Sequence, residues 1–124
     1  MQKITGIGGV TFKAKDPKKL MEWYDQHLGI QFQYGFIQFK WSEDGNPNGS
    51  TTFSVVKEDS AHFAPSEKPF LINFRVTDLR ALLKELQENG VTIVGEIQEY
   101  DFGLFGHILD PEGNKLELWQ PMGD

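Results

Sequence analysis

The sequence predicts an α+β fold: two tandem βαβββ modules that form a curved eight-stranded cup with both helices on its convex side. Three observations predict it. Residues 10–16, VTFKAKD, recur as residues 72–78, INFRVTD, an offset of 62 positions in a chain of 124. In each copy the hydrophobic period changes from two to about 3.6 directly after the closing Asp. Each helical stretch is followed by β-rich runs broken by turn residues. The repeat places module one at about residues 1–57, a linker at about 58–69 and module two at about 70–124, together making a single domain.

The elements follow in order. The first strand of each copy alternates apolar and polar residues, so Val10, Phe12, Ala14 and Ile72, Phe74, Val76 face the helices. Asp16 followed by Pro17 reads as an N-cap with a first-turn proline, and Asp78 caps the second helix in the same way. Leu20, Trp23, Tyr24 and Leu28 form one helical stripe; Leu79, Leu82, Leu83 and Leu86 form the other. Gly29 and Asn89-Gly90 supply left-handed exits. Further strands are expected near 31–34, 36–41 and 51–57, then near 92–100, 102–109 and 115–120. Residues 110–114, DPEGN, have the chemistry of a hairpin turn between the last two strands. The linker carries two prolines and little periodicity, and is a candidate flap over a site.

Composition narrows the function. Twelve Lys and Arg against eighteen Asp and Glu give a net charge of −6, the wrong sign for a phosphate-backbone binder, so nucleic acid is not an expected partner. The absence of cysteine excludes disulfides and thiolate metal sites. No apolar run reaches the length of a membrane span and the amino terminus lacks a secretory layout, so a cytoplasmic protein without a membrane partner is expected. Ten Phe, three Trp and three Tyr suit a packed core beside an apolar ligand pocket.

Parity then locates a site. The strand faces turned away from the helices carry Thr11 and Lys13 in copy one, Asn73 and Arg75 in copy two. Centring the DPEGN turn on Glu112 and Gly113 pairs Leu109 with Lys115 and sets His107 opposite Glu117. Leu116 and Leu118 then face the helices, while Lys115, Glu117, Trp119 and His107 share the other face. Glu117, between two leucines, is costly to bury without a partner. Glu117 with His107 is the candidate catalytic pair, a carboxylate orienting an imidazole for proton transfer. Arg75, Asn73, Lys13, Thr11 and Trp119 are the candidate ligand-binding residues. Two cations on one face of an acidic chain point to a small anionic organic ligand. Of Trp41, Phe53, Tyr100, Phe102, Phe105 and Trp119, Trp119 is the first choice for lining the cup. His27 shares the stripe of Leu20 and reads as a half-buried packing residue; His62, in the linker, reads as solvated.

The duplicated unit, the opening GGVTFKAKDPKKLMEWYDQHLGI and above all the closing HILDPEGNKLELWQP resemble the vicinal oxygen chelate superfamily. That group includes glyoxalase I, bleomycin-resistance proteins, fosfomycin-resistance enzymes and extradiol dioxygenases. In its metal-dependent members the resemblance implies a divalent ion held by His and Glu from the first and last strands of each module. Carried over to this chain, the last-strand acid falls on Glu117. The other positions fall on Gly9, Leu71 and about Ser54, with Glu58 the nearest acid to the last, and none of the three is a usual ligand. His107 can add a second donor, but no third is placed by the sequence. Since a catalytic site needs about three protein ligands, no metal cofactor is expected, with a divalent metal as the alternative.

These readings lead to a glyoxalase- or bleomycin-resistance-like protein that binds a small anionic molecule in a cup without the usual metal. The alternatives are a metal-dependent lyase, isomerase or dioxygenase, and a non-catalytic drug-sequestering protein. The resemblance also implies a homodimer.

Overall fold

A computed structural model describes residues 7, 9–46 and 48–122. Two helices, α1 (Pro17–Leu28) and α2 (Leu79–Glu88), pack with a four-stranded sheet of β1 (Ile72–Arg75), β2 (Gln98–Tyr100), β3 (Gly103–Leu109) and β4 (Lys115–Pro121). The sheet order is β1-β4-β3-β2, with β1 parallel to β4 and the other pairs antiparallel.

The helices begin and end as the sequence requires. Lys19 N–H donates to Asp16 Oδ1 over 3.1 Å at the start of α1, with Pro17 in its first turn, and Ala81 N–H donates to Asp78 Oδ1 over 3.1 Å at the start of α2. Gly29 closes α1 in the left-handed region at φ 67°. The apolar stripes meet one sheet face, where Leu79, Leu86, Ile108, Leu116 and Leu118 are fully buried. Leu20 and Tyr24 of α1 join this core. Gly106 lets α2 approach closely, since a Cβ there would stand 2.7 Å from Leu83 Cδ1.

The turn at 110–114 organises more than its own hairpin. The buried Asp110 carboxylate accepts from Asn114 N–H and Glu112 N–H, each over 2.9 Å, and from Asn114 Nδ2 over 2.6 Å. It also accepts from the Tyr24 hydroxyl over 2.9 Å. Glu112 reaches back to accept from Lys15 N–H at 2.8 Å and Asp16 N–H at 3.0 Å. The first repeat's helix is thus fastened at both its approach and its middle to the second repeat's last hairpin.

Two expectations need correction. The tandem eight-stranded cup is not formed by the described residues of this chain: the sheet has four strands, all from the second repeat. In the first repeat, residues 10–14 and 51–57 form no paired strand, and among the described residues the only bridge near 31–41 joins Gln33 to Phe36. The physical reason lies in exposure. Val10, Phe36, Phe39, Phe53 and Val55 are 57–87% exposed, so among the described residues the alternation that marks them as strand residues meets no paired backbone. The second correction is to the expected strand at 92–100. It bends at Gly95, leaving a single bridge from Ile93 to Ile108 before β2 begins at Gln98.

Candidate functional site

The sheet face turned away from the helices is built in rows. β3 and β4 pair Leu109 with Lys115, His107 with Glu117 and Phe105 with Trp119. β1 continues two of these rows, Asn73 beside Glu117 and Arg75 beside Trp119. A polar row of Asn73, Glu117 and His107 therefore lies about 7 Å, two residues along the strands, from a row of Arg75, Trp119 and Phe105.

Glu117 is the centre of the polar row. His107 Nε2 lies 2.8 Å from its Oε2, and Asn73 Nδ2 donates to its Oε1 over 2.8 Å. A third side chain comes from the linker: His62 Nε2 lies 3.1 Å from the same Oε2. The three differ in solvent access, with the His107, Glu117 and His62 side chains 5%, 14% and 42% exposed. Burial opposes ionisation of Glu117. Hydrogen bonds from His107 and Asn73, with the charges of His107 and His62, outweigh it and hold the carboxyl below its ordinary pKa.

His62 is placed by local and distant contacts together. Its N–H donates to Ser60 Oγ, capping the short turn Ala61–Phe63. Its carbonyl accepts from the Lys115 amine, which burial shifts to a lower pKa than an ordinary lysine despite the opposing charge of Glu117. The imidazoles of His62 and His107 meet edge to face, centroids 5.3 Å apart.

Among the described residues this is the one place where three His, Asp or Glu side chains gather their ligand atoms, all within 4.8 Å of one another. The donor set fits a divalent ion. Metal–ligand bonds of about 2.0–2.2 Å put neighbouring ligand atoms roughly 3 Å apart, and both His–Glu spacings are already near that value. Asn73 on the second carboxylate oxygen is the kind of outer partner that orients a metal-binding acid. The expected absence of a third donor beside His107 and Glu117 is thereby corrected. His62 lies in a proline-bearing, aperiodic stretch with no parity to follow, so the sequence offers one signal for it, the flap-like character of that stretch.

The other expected residues separate. Asn73 joins Glu117 directly. Arg75 shares the face, but its Nε and Nη2 donate to Asp44 Oδ2 over 3.0 and 2.6 Å, and its Nη1 to the Ser50 carbonyl over 2.9 Å. It clamps Asp44 and Ser50 together. Trp119 stacks on Phe105, centroids 5.9 Å apart and 5° from parallel, and its Nε1 donates to the Phe102 carbonyl over 3.1 Å. Thr11 and Lys13 are exposed on the stretch before α1, and no described contact brings them to Glu117. On the helix side a cleft of about 470 Å³ opens between the end of α1 and α2, and His27 lines it.

A family model for the glyoxalase/bleomycin resistance protein/dioxygenase superfamily matches residues 6–118. The chain belongs to this superfamily. Solved structures of the superfamily type share its fold. A member from Sphaerobacter thermophilus is 19% identical with a TM-score of 0.60, covering 96% of this chain and 99% of that one. A glyoxalase-related enzyme from Fulvimarina pelagi is 15% identical with a TM-score of 0.58, covering 97% and 94%. An antibiotic binding protein from a Streptomyces species is 16% identical with a TM-score of 0.57, covering 98% and 100%. This chain spans 47% of the length of a glyoxalase family protein from Bacillus cereus. No curated protein matches the chain. No helix among the described residues is long and apolar enough to cross a membrane.

Proposed function

We propose that this glyoxalase-superfamily chain holds a divalent metal ion with His62, His107 and Glu117 and presents it to a small organic molecule bound on the same sheet face. The convergence of three ligand atoms within 4.8 Å carries this reading. A bound ion supplies a Lewis acid for an oxygen of the organic molecule. The chain's own residues do the rest. Asn73 fixes the rotation of the Glu117 carboxylate, Lys115 holds the His62 carbonyl and so keeps the linker over the sheet, and buried His107 forms the floor. The depressed pKa of Glu117 keeps it ionised at neutral pH, the form a ligand must have.

A second reading keeps the same residues without metal. Glu117 is engaged by His107, His62 and Asn73 as it stands, which supports a carboxylate–imidazole pair for proton transfer or a metal-free binding face. The antibiotic binding protein of similar fold makes sequestration the non-catalytic form of this reading.

Calorimetric titration of chelator-stripped protein with Zn²⁺, Ni²⁺, Mn²⁺ and Fe²⁺ tests the choice, with a parallel thermal melt. One ion per chain, a raised melting temperature and loss of both in His107→Ala and Glu117→Gln are expected. Absence of stoichiometric binding for all four ions overturns the metal reading and leaves the second.

A further inference from the structure

Beside the polar row lies a pocket with no part in the metal reading. It has a volume of about 230 Å³ and is lined by Trp119 and Phe102 together with Asn46, Asn48, Gly49 and Ser50. Its aromatic side is built. Trp119 is backed by parallel stacking on Phe105, and its indole N–H is tied to the Phe102 carbonyl. Phe102 stacks on Tyr100, centroids 5.2 Å apart and 4° from parallel, yet the two remain 61% and 46% exposed. Four rings are thus pre-ordered at the edge of the sheet, with Phe102 and Tyr100 largely in water and Phe105 and Trp119 half-buried behind them.

The facing loop is also fixed. Arg75 spends its guanidinium on Asp44 and the Ser50 carbonyl, and the Asn46 N–H donates to Asp44 Oδ1 over 2.9 Å. Gly49 fits closely within this clamp: a Cβ there would lie 3.0 Å from the Asn46 carbonyl oxygen and 3.8 Å from Arg75 Nε. A cavity near 150 Å³ accommodates benzene, so this one has room for one ring or two fused rings.

We infer that this pocket binds a planar aromatic or heteroaromatic ring, stacked on Trp119 and Phe102, with Asn46 and Ser50 contacting the ring's polar substituents. Flat rings gain more than their buried area from parallel or edge contacts with other rings. A saturated group of equal size gains only the area. The ring pocket does not rest on the metal reading. Arg75 accordingly acts as a positioning residue for the loop.

The test is a titration of ¹⁵N-labelled protein with 2-naphthylacetate and, separately, with its fully saturated analogue, followed by NMR with and without Zn²⁺. We expect the Trp119 indole and the Gly49 and Ser50 amides to shift with the aromatic probe and to respond at least several-fold more weakly to the saturated one. Trp119→Leu should weaken binding about tenfold or more, and Phe102→Ala, at an exposed site, should weaken it several-fold should the first variant fail to fold. Equal responses to the two probes, or shifts confined to the α1–α2 cleft around Leu28 and Val76, overturn the ring pocket. Ring binding retained in a protein that takes no metal overturns the metal reading alone. Metal binding with no Trp119 response overturns the ring pocket alone.

Discussion

The hydroxyl of Tyr24, in the helix of the first repeat, donates over 2.9 Å to the buried carboxylate of Asp110, in the last turn of the second. This bond joins the two halves of the chain across 86 residues. Burial, then the Asp110 charge and hydrogen bond, push the Tyr24 pKa far above that of an ordinary tyrosine, which favours the protonated, donating hydroxyl. Tyr24→Phe leaves a buried carboxylate short of one partner and should cost about 1–3 kcal/mol. Urea unfolding monitored by circular dichroism measures this; an unchanged midpoint would show the bond to be idle.

Gly106 sits under α2 with no room for a side chain. Gly106→Ala should push Leu83 off the sheet and destabilise the protein by about 1–3 kcal/mol, the usual cost of overpacking. Pairing it with Leu83→Ala should recover part of the loss if the clash is the cause, and a purely additive double variant would refute that cause.

Gly103 is constrained by both conformation and space. Its φ is 142°, and a Cβ would lie 2.6 Å from Trp119 Nε1 and 2.5 Å from the Gln120 carbonyl oxygen. Gly103→Ala should therefore displace the indole from Phe105. The readouts are tryptophan near-ultraviolet circular dichroism and the indole N–H resonance, both of which should move while the helical far-ultraviolet signal stays.

The Glu117 network carries a pH dependence with a definite sign. A carboxyl whose pKa is lower folded than unfolded stabilises the fold above its unfolded value, and that contribution is lost as pH falls through the lower, folded value. For metal-free protein, stability should decline on acidification below the ordinary Glu range. Glu117→Gln should flatten that part of the profile and lower stability at neutral pH. A variant with the same acid slope as the parent would assign the slope to other carboxylates, such as Asp44 and Glu112, which are also depressed.

Lys115→Met keeps the aliphatic stem but removes the amine that holds the His62 carbonyl. If His62 completes a metal site, Zn²⁺ affinity should drop about 10- to 100-fold, the usual effect of losing an outer partner. Isothermal titration of the variant checks this. Parent-like affinity would mean the linker is held by other contacts.

How much of this was legible in the sequence depends on the distance over which each feature is determined. The DPEGN turn pins the last hairpin, and its register emerges with Leu109 on Lys115 and His107 on Glu117 as turn chemistry requires. Arg75 shows the limit of parity. Alternation placed it on the correct face, but not its partner Asp44, which arrives from a loop without periodicity. The strands expected in the first repeat show a further limit: alternation states which side chains are apolar, but a strand exists only where another backbone pairs with it.

By itself the sequence determined what local physics controls: both capped helices, the turn that sets the final register, and the face on which Asn73, Glu117, His107 and Trp119 stand. Only the tertiary structure decided which distant groups meet on that face. His62 reaches Glu117 across 55 residues and Asp44 reaches Arg75 across 31. Such contacts depend on how aperiodic loops close over a packed sheet, where burial and ion pairing outweigh any local preference, and no spacing rule in the chain encodes them.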